Sequence, residues 1–254
     1  MHKVGHMLAR PARWPGYGRE FGLRTLGILA RLPLVGPAFA RLLAWGLGPY
    51  KKRKRWVRLT GRSYVSPSAR VSGPSITMGD QCFLDDDVTV FSYGGDGVVS
   101  LGDRVSIWRG TIMEVESGGT IQIDSGTVIQ PYCIMNAVVG SLTIGKDVQI
   151  AAHSMFFPFR HRFESASVPI KEQGKASKGG IIVEDDVWIG AGTTVMDGVR
   201  IGRGSVIGAG SVVTRDVPPY CVAAGAPARV MYARALEDNK SVGGLQEEME
   251  RRKS

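Results

Sequence analysis

Residues 183–213 read VEDDVWIGAGTTVMDGVRIGRGSVIGAGSVV, with an aliphatic residue at every sixth position: Val183, Ile189, Val195, Ile201, Ile207 and Val213. A small or branched residue stands four places after each, at Val187, Thr193, Val199, Ser205, Ser211 and Val217. Neither the 3.6-residue period of a helix nor the two-residue period of a strand produces a stride of six. A triangular solenoid does. Each hexad is then a short strand plus a corner, its aliphatic residue points to the axis, and three hexads close one coil. Working upstream, the stride returns in threes at Met78/Leu84/Val90, Leu101/Ile107/Met113, Ile123/Ile129/Met135 and Ile144/Ile150/Phe156, with a lead-in at Val65/Val71. About seven coils are expected between residues 65 and 218.

The composition agrees with a turn-rich all-β chain. Of 254 residues, 34 are Gly and 13 are Pro, above the average share but below the collagen-like or low-complexity range. The three cysteines, Cys82, Cys133 and Cys221, cannot all pair and form no CxxC. A disulfide framework is therefore not expected. With no secretory signal at its start, the chain is expected in the cytoplasm, with the inner face of the membrane as a possible peripheral location. The formal charge of +9 is local: residues 10–62 hold the basic excess, and Glu20 is their only acidic residue.

Two regions lie outside the rhythm. Residues 157–182 carry no hexads, and a long excursion from a compact repeat is usually functional or disordered. Residues 1–62 form a basic, apolar extension in which Arg24, Arg31, Pro33, Pro37 and Arg41 break the apolar run, so a spanning helix is not expected. The extension is read as helical. It would serve either as a cap on the first coil or as a segment at an anionic membrane surface, drawn there by Lys51, Lys52, Arg53, Lys54 and Arg55. No helix-turn-helix or aromatic RNA platform accompanies these charges, so nucleic acid is not an expected partner. Residues 63–232 make the repeat domain, and residues 233–254 a polar C-terminal helix or tail.

The hexads resemble those of the hexapeptide-repeat acyltransferases, a family of left-handed parallel β-helices, over roughly residues 65–232. The hand is implied only by that resemblance, since parallel crossovers in general favour the right-handed form. The excursion, with Pro158-Phe159-Arg160-His161-Arg162-Phe163-Glu164, and the Val187-Trp188-Ile189-Gly190 that follows it look like the loop and next coil of sugar O-acetyltransferases in that family. The resemblance implies that His161 is the general base. Some relatives carry two histidines one residue apart here; Phe159 stands in the first place, and His153 is the alternative base. A histidine suits the task because its unperturbed pKa of about 6.5 lets it take a hydroxyl proton near neutrality.

The same resemblance makes the Ala191 N–H the oxyanion donor and puts Trp188 beside the cleft; Asn136 is read as a group that could orient the acceptor hydroxyl. Gly208, Ala209, Thr214, Arg215 and Arg229 fall in its coenzyme A segment, where small residues let a pantetheine arm lie against the backbone and arginines can pair with phosphates. The expected reaction is direct transfer of acetyl from acetyl-CoA to a hydroxyl of a sugar or cell-surface polysaccharide precursor, by a homotrimer with sites between subunits and without a metal. Two rivals are a non-catalytic β-helix scaffold and a β-helix carbonic anhydrase, which would need three histidine ligands. Glu114, Glu116 and Asp85-Asp86-Asp87 are read as solvated corners.

Overall fold

The computed structural model describes residues 60–235 apart from Tyr93, Asp96 and Ser117, together with Arg53, Lys54 and Val57. The chain divides into two compact units, Met1–Thr60 and Gly61–Ser254, and every named strand belongs to the second. The expected helices of the N-terminal extension and of the C-terminal tail lie outside the described residues, apart from those few positions.

The hexads fold into three parallel sheets that the chain visits in rotation. The first face holds Tyr64–Val65, Phe83–Leu84, Ser106–Ile107, Val128–Ile129, Gln149–Ile150, Trp188–Ile189, Val206–Ile207 and Cys221–Gly225. The second holds Arg70–Ser72, Thr89–Phe91, Ile112–Glu116, Ile134–Val138, Met155–Phe157, Thr194–Met196 and Val212–Val213. The third holds Ser75–Met78, Val98–Leu101, Thr120–Ile123, Leu142–Ile144, Ile181–Val183 and Arg200–Ile201. Strand follows strand around the triangle, giving about seven coils of a parallel β-solenoid, consistent with the left-handed β-helix.

The inward positions explain why the stride is strict. Each pairs in register with its counterpart one coil away, as Ile129 does with Ile107 and Ile150. A strand spacing of about 4.8 Å then stacks like on like. Leu84, Ile107, Ile129, Ile150, Ile189 and Ile207 are all buried, as are Met113, Met135 and Phe156 on the second face. Val65 and Val71, in the lead-in coil, are exposed instead. The smaller second inward positions include buried hydroxyls. The Thr193, Ser205 and Ser211 hydroxyls donate to the carbonyls of Gly190 (2.7 Å), Pro218 (2.7 Å) and Gly208 (2.6 Å), so their burial leaves no orphan donor.

At the far end Cys221–Gly225 turns back through the antiparallel strand Ala228–Ala233. The excursion leaves the second face after Met155–Phe157 and returns on the third at Ile181–Val183. Within it Arg160–His161 pairs antiparallel with Lys175–Ala176, and Ile170–Glu172 makes one 3₁₀ turn. Its root is tied down where the Ser177 hydroxyl donates to the Pro158 carbonyl (2.6 Å) and the Lys178 N–H to Asp197 (2.8 Å).

Candidate active site

Most of the expected site residues fall at two edges of the second face, with Asn136 on that face and Trp188 on the first. At the corner between the first and second faces, Gly190, Ala191 and Gly192 turn the chain. Gly192 has φ +67, a left-handed conformation that costs an L residue about 1–2 kcal/mol. A Cβ on Gly190 would lie 2.5 Å from the Ala209 N, and one on Gly208 2.8 Å from the Ala224 Cβ. Close stacking therefore demands glycine at both places; Gly190 is buried and Gly208 half-buried, so the corner carries only small residues. Ala191 and Ala209 are exposed beside it. The Ala191 carbonyl accepts from the Gly210 N–H at 2.8 Å, whereas its own N–H has no acceptor among the described residues. Arg229 stands opposite Ala224 in the terminal hairpin, with an exposed guanidinium whose Nη1 donates to the Ala228 carbonyl (2.9 Å). Trp188, 56% exposed, begins the adjoining strand of the first face.

His161 lies beyond the opposite edge of the second face. Its exposed ring meets Phe159 edge-on at 6.2 Å, and Phe159 meets Phe157 the same way at 6.5 Å. Lys175 is its cross-strand partner in the excursion. The Lys175 Nζ sits 5.2 Å above the Phe159 ring and donates to Glu116 Oε2 at 3.1 Å. Asn136 is buried on the face itself, its Nδ2 donating to Glu114 Oε2 (2.9 Å) and its Oδ1 accepting from the Val138 N–H (2.9 Å). Thr214 and Arg215 follow Val212–Val213, so they lie on the His161 edge and not with Gly208 and Ala209. From the corner at His153 to Phe157 is four residues, roughly 13 Å at about 3.3 Å per residue. Within one chain, then, His161 and Ala191 are a face apart.

The acidic residues correct the sequence reading. Glu114 and Glu116 are partly buried partners of Asn136 and Lys175, not solvated corners. A signal was present: Glu114 and Asn136 occupy the same place in successive coils. Asp85 is fully buried, and among the described residues no group meets either carboxylate oxygen in full hydrogen-bond geometry, the Asp86 and Arg109 backbone N–H groups lying only nearby. Burial pushes its carboxyl up; the nearby Asp86 and Arg109 backbone N–H groups and the Arg109 charge oppose this, and the Asp86 charge adds to it. Asp86 accepts from Ser66 (2.5 Å) and from Arg109 (3.1 Å), and only Asp87 is exposed as expected. Among the described residues no group of three or more His, Cys, Asp and Glu side chains is arranged to hold a metal ion. No described helix is long and apolar enough to cross a membrane.

Comparison with known proteins agrees with this architecture. Residues 180–215 match the family described as bacterial transferase hexapeptide (six repeats). The chain is 30% identical over 168 residues to "Probable acetyltransferase Rv3034c" of Mycobacterium tuberculosis, covering 66% of this chain and 55% of the relative. It is 41% identical over 97 residues to the galactoside O-acetyltransferase of Lactococcus lactis, covering 37% and 45%. The chain thus spans about half the length of these curated relatives. A structure of a variant of AntD, an N-acyltransferase from Bacillus cereus, in complex with dTDP-4-amino-4,6-dideoxyglucose and coenzyme A, superposes with a TM-score of 0.51 at 20% identity, covering 78% of this chain and 96% of that one. The match over residues 180–215 and the solenoid give this chain the hexapeptide repeat of bacterial transferases.

Proposed function

We propose that the protein is an O-acyltransferase that moves acetyl from acetyl-CoA to a hydroxyl of a sugar or polysaccharide precursor. The observation that carries this reading is the corner of small residues, where the Ala191 N–H, which has no acceptor among the described residues, adjoins the strip of Gly208, Ala209 and Ala224. An extended thiol ester arm can lie along that strip, with its carbonyl oxygen at the Ala191 N–H and Arg229 near the coenzyme's phosphates. The names of the relatives support acyl transfer, and the Lactococcus lactis relative supports a hydroxyl acceptor.

In this mechanism the His161 imidazole takes the acceptor's hydroxyl proton and the oxygen attacks the thioester carbonyl. Charge gathers on the carbonyl oxygen opposite the Ala191 N–H, and the carbon–sulfur bond then breaks. The proton held by His161 passes to the leaving thiolate. Because His161 and Ala191 stand a face apart in one chain, His161 of one copy serves Ala191 of another. A homotrimer with sites between subunits meets that need. Thr214 and Arg215 would then contact coenzyme held by a neighbouring copy, Trp188 would flank the cleft, and Asn136 would set the position of Glu114 and the wall near the acceptor. The basic extension, residues 1–62, would cap the solenoid or hold it at an anionic membrane surface.

The test is an acceptor screen with acetyl-CoA that reads release of free thiol. His161→Ala should lower turnover by about 10²- to 10⁴-fold with coenzyme binding intact. Gly208→Trp should abolish coenzyme binding by calorimetry. Full turnover in the first variant or unchanged binding in the second overturns the assignment.

A further inference from the structure

The corner that holds Ala191 carries a feature the mechanism above does not use. In successive coils the same corner position is occupied by Gly110, Tyr132, His153, Gly192 and Gly210, linked by Gly192 N–H to Ala152 carbonyl and His153 N–H to Pro131 carbonyl bonds. All five have positive φ, between +61 and +68. Three are glycine, the residue this conformation favours; two neighbours are aromatic and bear the strain. Their rings stack, with centroids 5.5 Å apart and planes within 13°.

The stack has a floor and no ceiling. A Cβ on Gly110 would lie 2.5 Å from both Cδ1 and Cε1 of Tyr132, so one edge of that ring rests against the glycine. Above His153 come Gly192 and Gly210, and nothing lies within 4 Å of a Cβ built on either. Among the described residues, therefore, nothing covers the outer flat face of the His153 ring beside Ala191. Tyr132 is 51% exposed, so the edge of the stack is open too.

We propose that the Tyr132–His153 stack is the platform on which the acceptor's pyranose ring sits. The proposal rests on the acyl-transfer reading, which assigns the strip of Gly208, Ala209 and Ala224 to the coenzyme and leaves the opposite side of Ala191 for the acceptor. That side is the platform. A pyranose presents an apolar face of C–H bonds to a ring and its hydroxyls at the rim, which matches an exposed aromatic step next to a carbonyl-activating N–H. Stacking there sets the acceptor's level along the solenoid and leaves a hydroxyl within reach of the thioester carbon.

The experiment compares the full chain with Tyr132→Gly and His153→Gly, which install the residue other coils use at this corner and so should leave the thermal midpoint unchanged or raised. Binding of coenzyme A is measured by calorimetry. Binding of methyl β-galactoside and UDP-galactose is followed by NMR, reading ring-current shifts of the pyranose C–H protons. The expected result is binding of at least one sugar with upfield-shifted protons, weakened about 3- to 10-fold in each variant, with coenzyme affinity unchanged. Undiminished sugar affinity in both variants, or coenzyme binding with no binding of either sugar, overturns the platform. A wild-type chain that does not bind coenzyme A overturns instead the reading beneath it.

Discussion

Lys175 offers the sharpest separation of fold from chemistry. It is cross-strand to His161, its ammonium lies over Phe159, whose ring touches His161, and it is paired with Glu116 on the solenoid wall. Lys175→Met removes the pair while keeping most of the side-chain volume. The two side chains are 36% and 28% exposed, so after solvent screening the pair contributes only about 0.2–1 kcal/mol. For a unit of this size that shifts the thermal midpoint by a few degrees at most, at about 2–4 °C per kcal/mol. If the pair positions His161, its loss lets the base move by an ångström or so, a displacement worth about 10²-fold in rate. We therefore expect kcat to fall about 10- to 100-fold with the KM for acetyl-CoA unchanged, because Gly208, Ala209 and Arg229 lie at the other edge. Lys175→Arg, which can reach Glu116, should recover most of the rate. Glu116→Gln should match Lys175→Met, and the double variant should be no worse than either, as for residues acting as one unit. Thiol release with the best acceptor of the screen, beside thermal unfolding, makes the measurement. Unchanged kcat with a lowered midpoint, or a rise in KM equal to the fall in kcat, refutes a positioning role.

Two further outcomes follow from buried groups. Because the folded state raises the Asp85 pKa, it holds the proton to a higher pH than the unfolded chain, so this residue's contribution to stability is lost as pH rises through the folded pKa. Asp85→Asn should therefore stabilise the protein by about 1–3 kcal/mol near neutrality and progressively less towards pH 4, measured by urea unfolding at several pH values; a difference that does not change with pH rules this out. Cys133 is buried and free, and burial pushes its thiol up to about 11, while burial also raises Cys82 and Cys221. Native protein at pH 8 should resist iodoacetamide at all three for hours, and urea should expose them together; rapid native labelling read by mass spectrometry would contradict the packing.

Much of the fold was legible because a solenoid repeats one local problem. The axis accepts only aliphatic side chains at fixed intervals, so Ile107, Ile129, Ile150, Ile189 and Ile207 announce both the coil and its register. Outward positions carry no such rule. Glu114 and Glu116 look like any surface carboxylates until the coils stack and set one on Asn136 and the other on Lys175, fifty-nine positions along the chain. The burial of Asp85 is hidden for the same reason, since it depends on which residues lie around it in space and not on its hexad.

The sequence by itself determined the strand rhythm, the excursion at residues 157–182 and the glycines of the Ala191 corner, because each is a local consequence of what a corner or an axis can hold. Tertiary structure decided the rest. It placed His161 and Ala191 a face apart, separated Thr214 and Arg215 from Gly208, and stacked Tyr132 on His153. Those relations depend on which face of a triangular coil each residue occupies and on what the neighbouring coil sets against it, and neither can be read from spacing along a single chain.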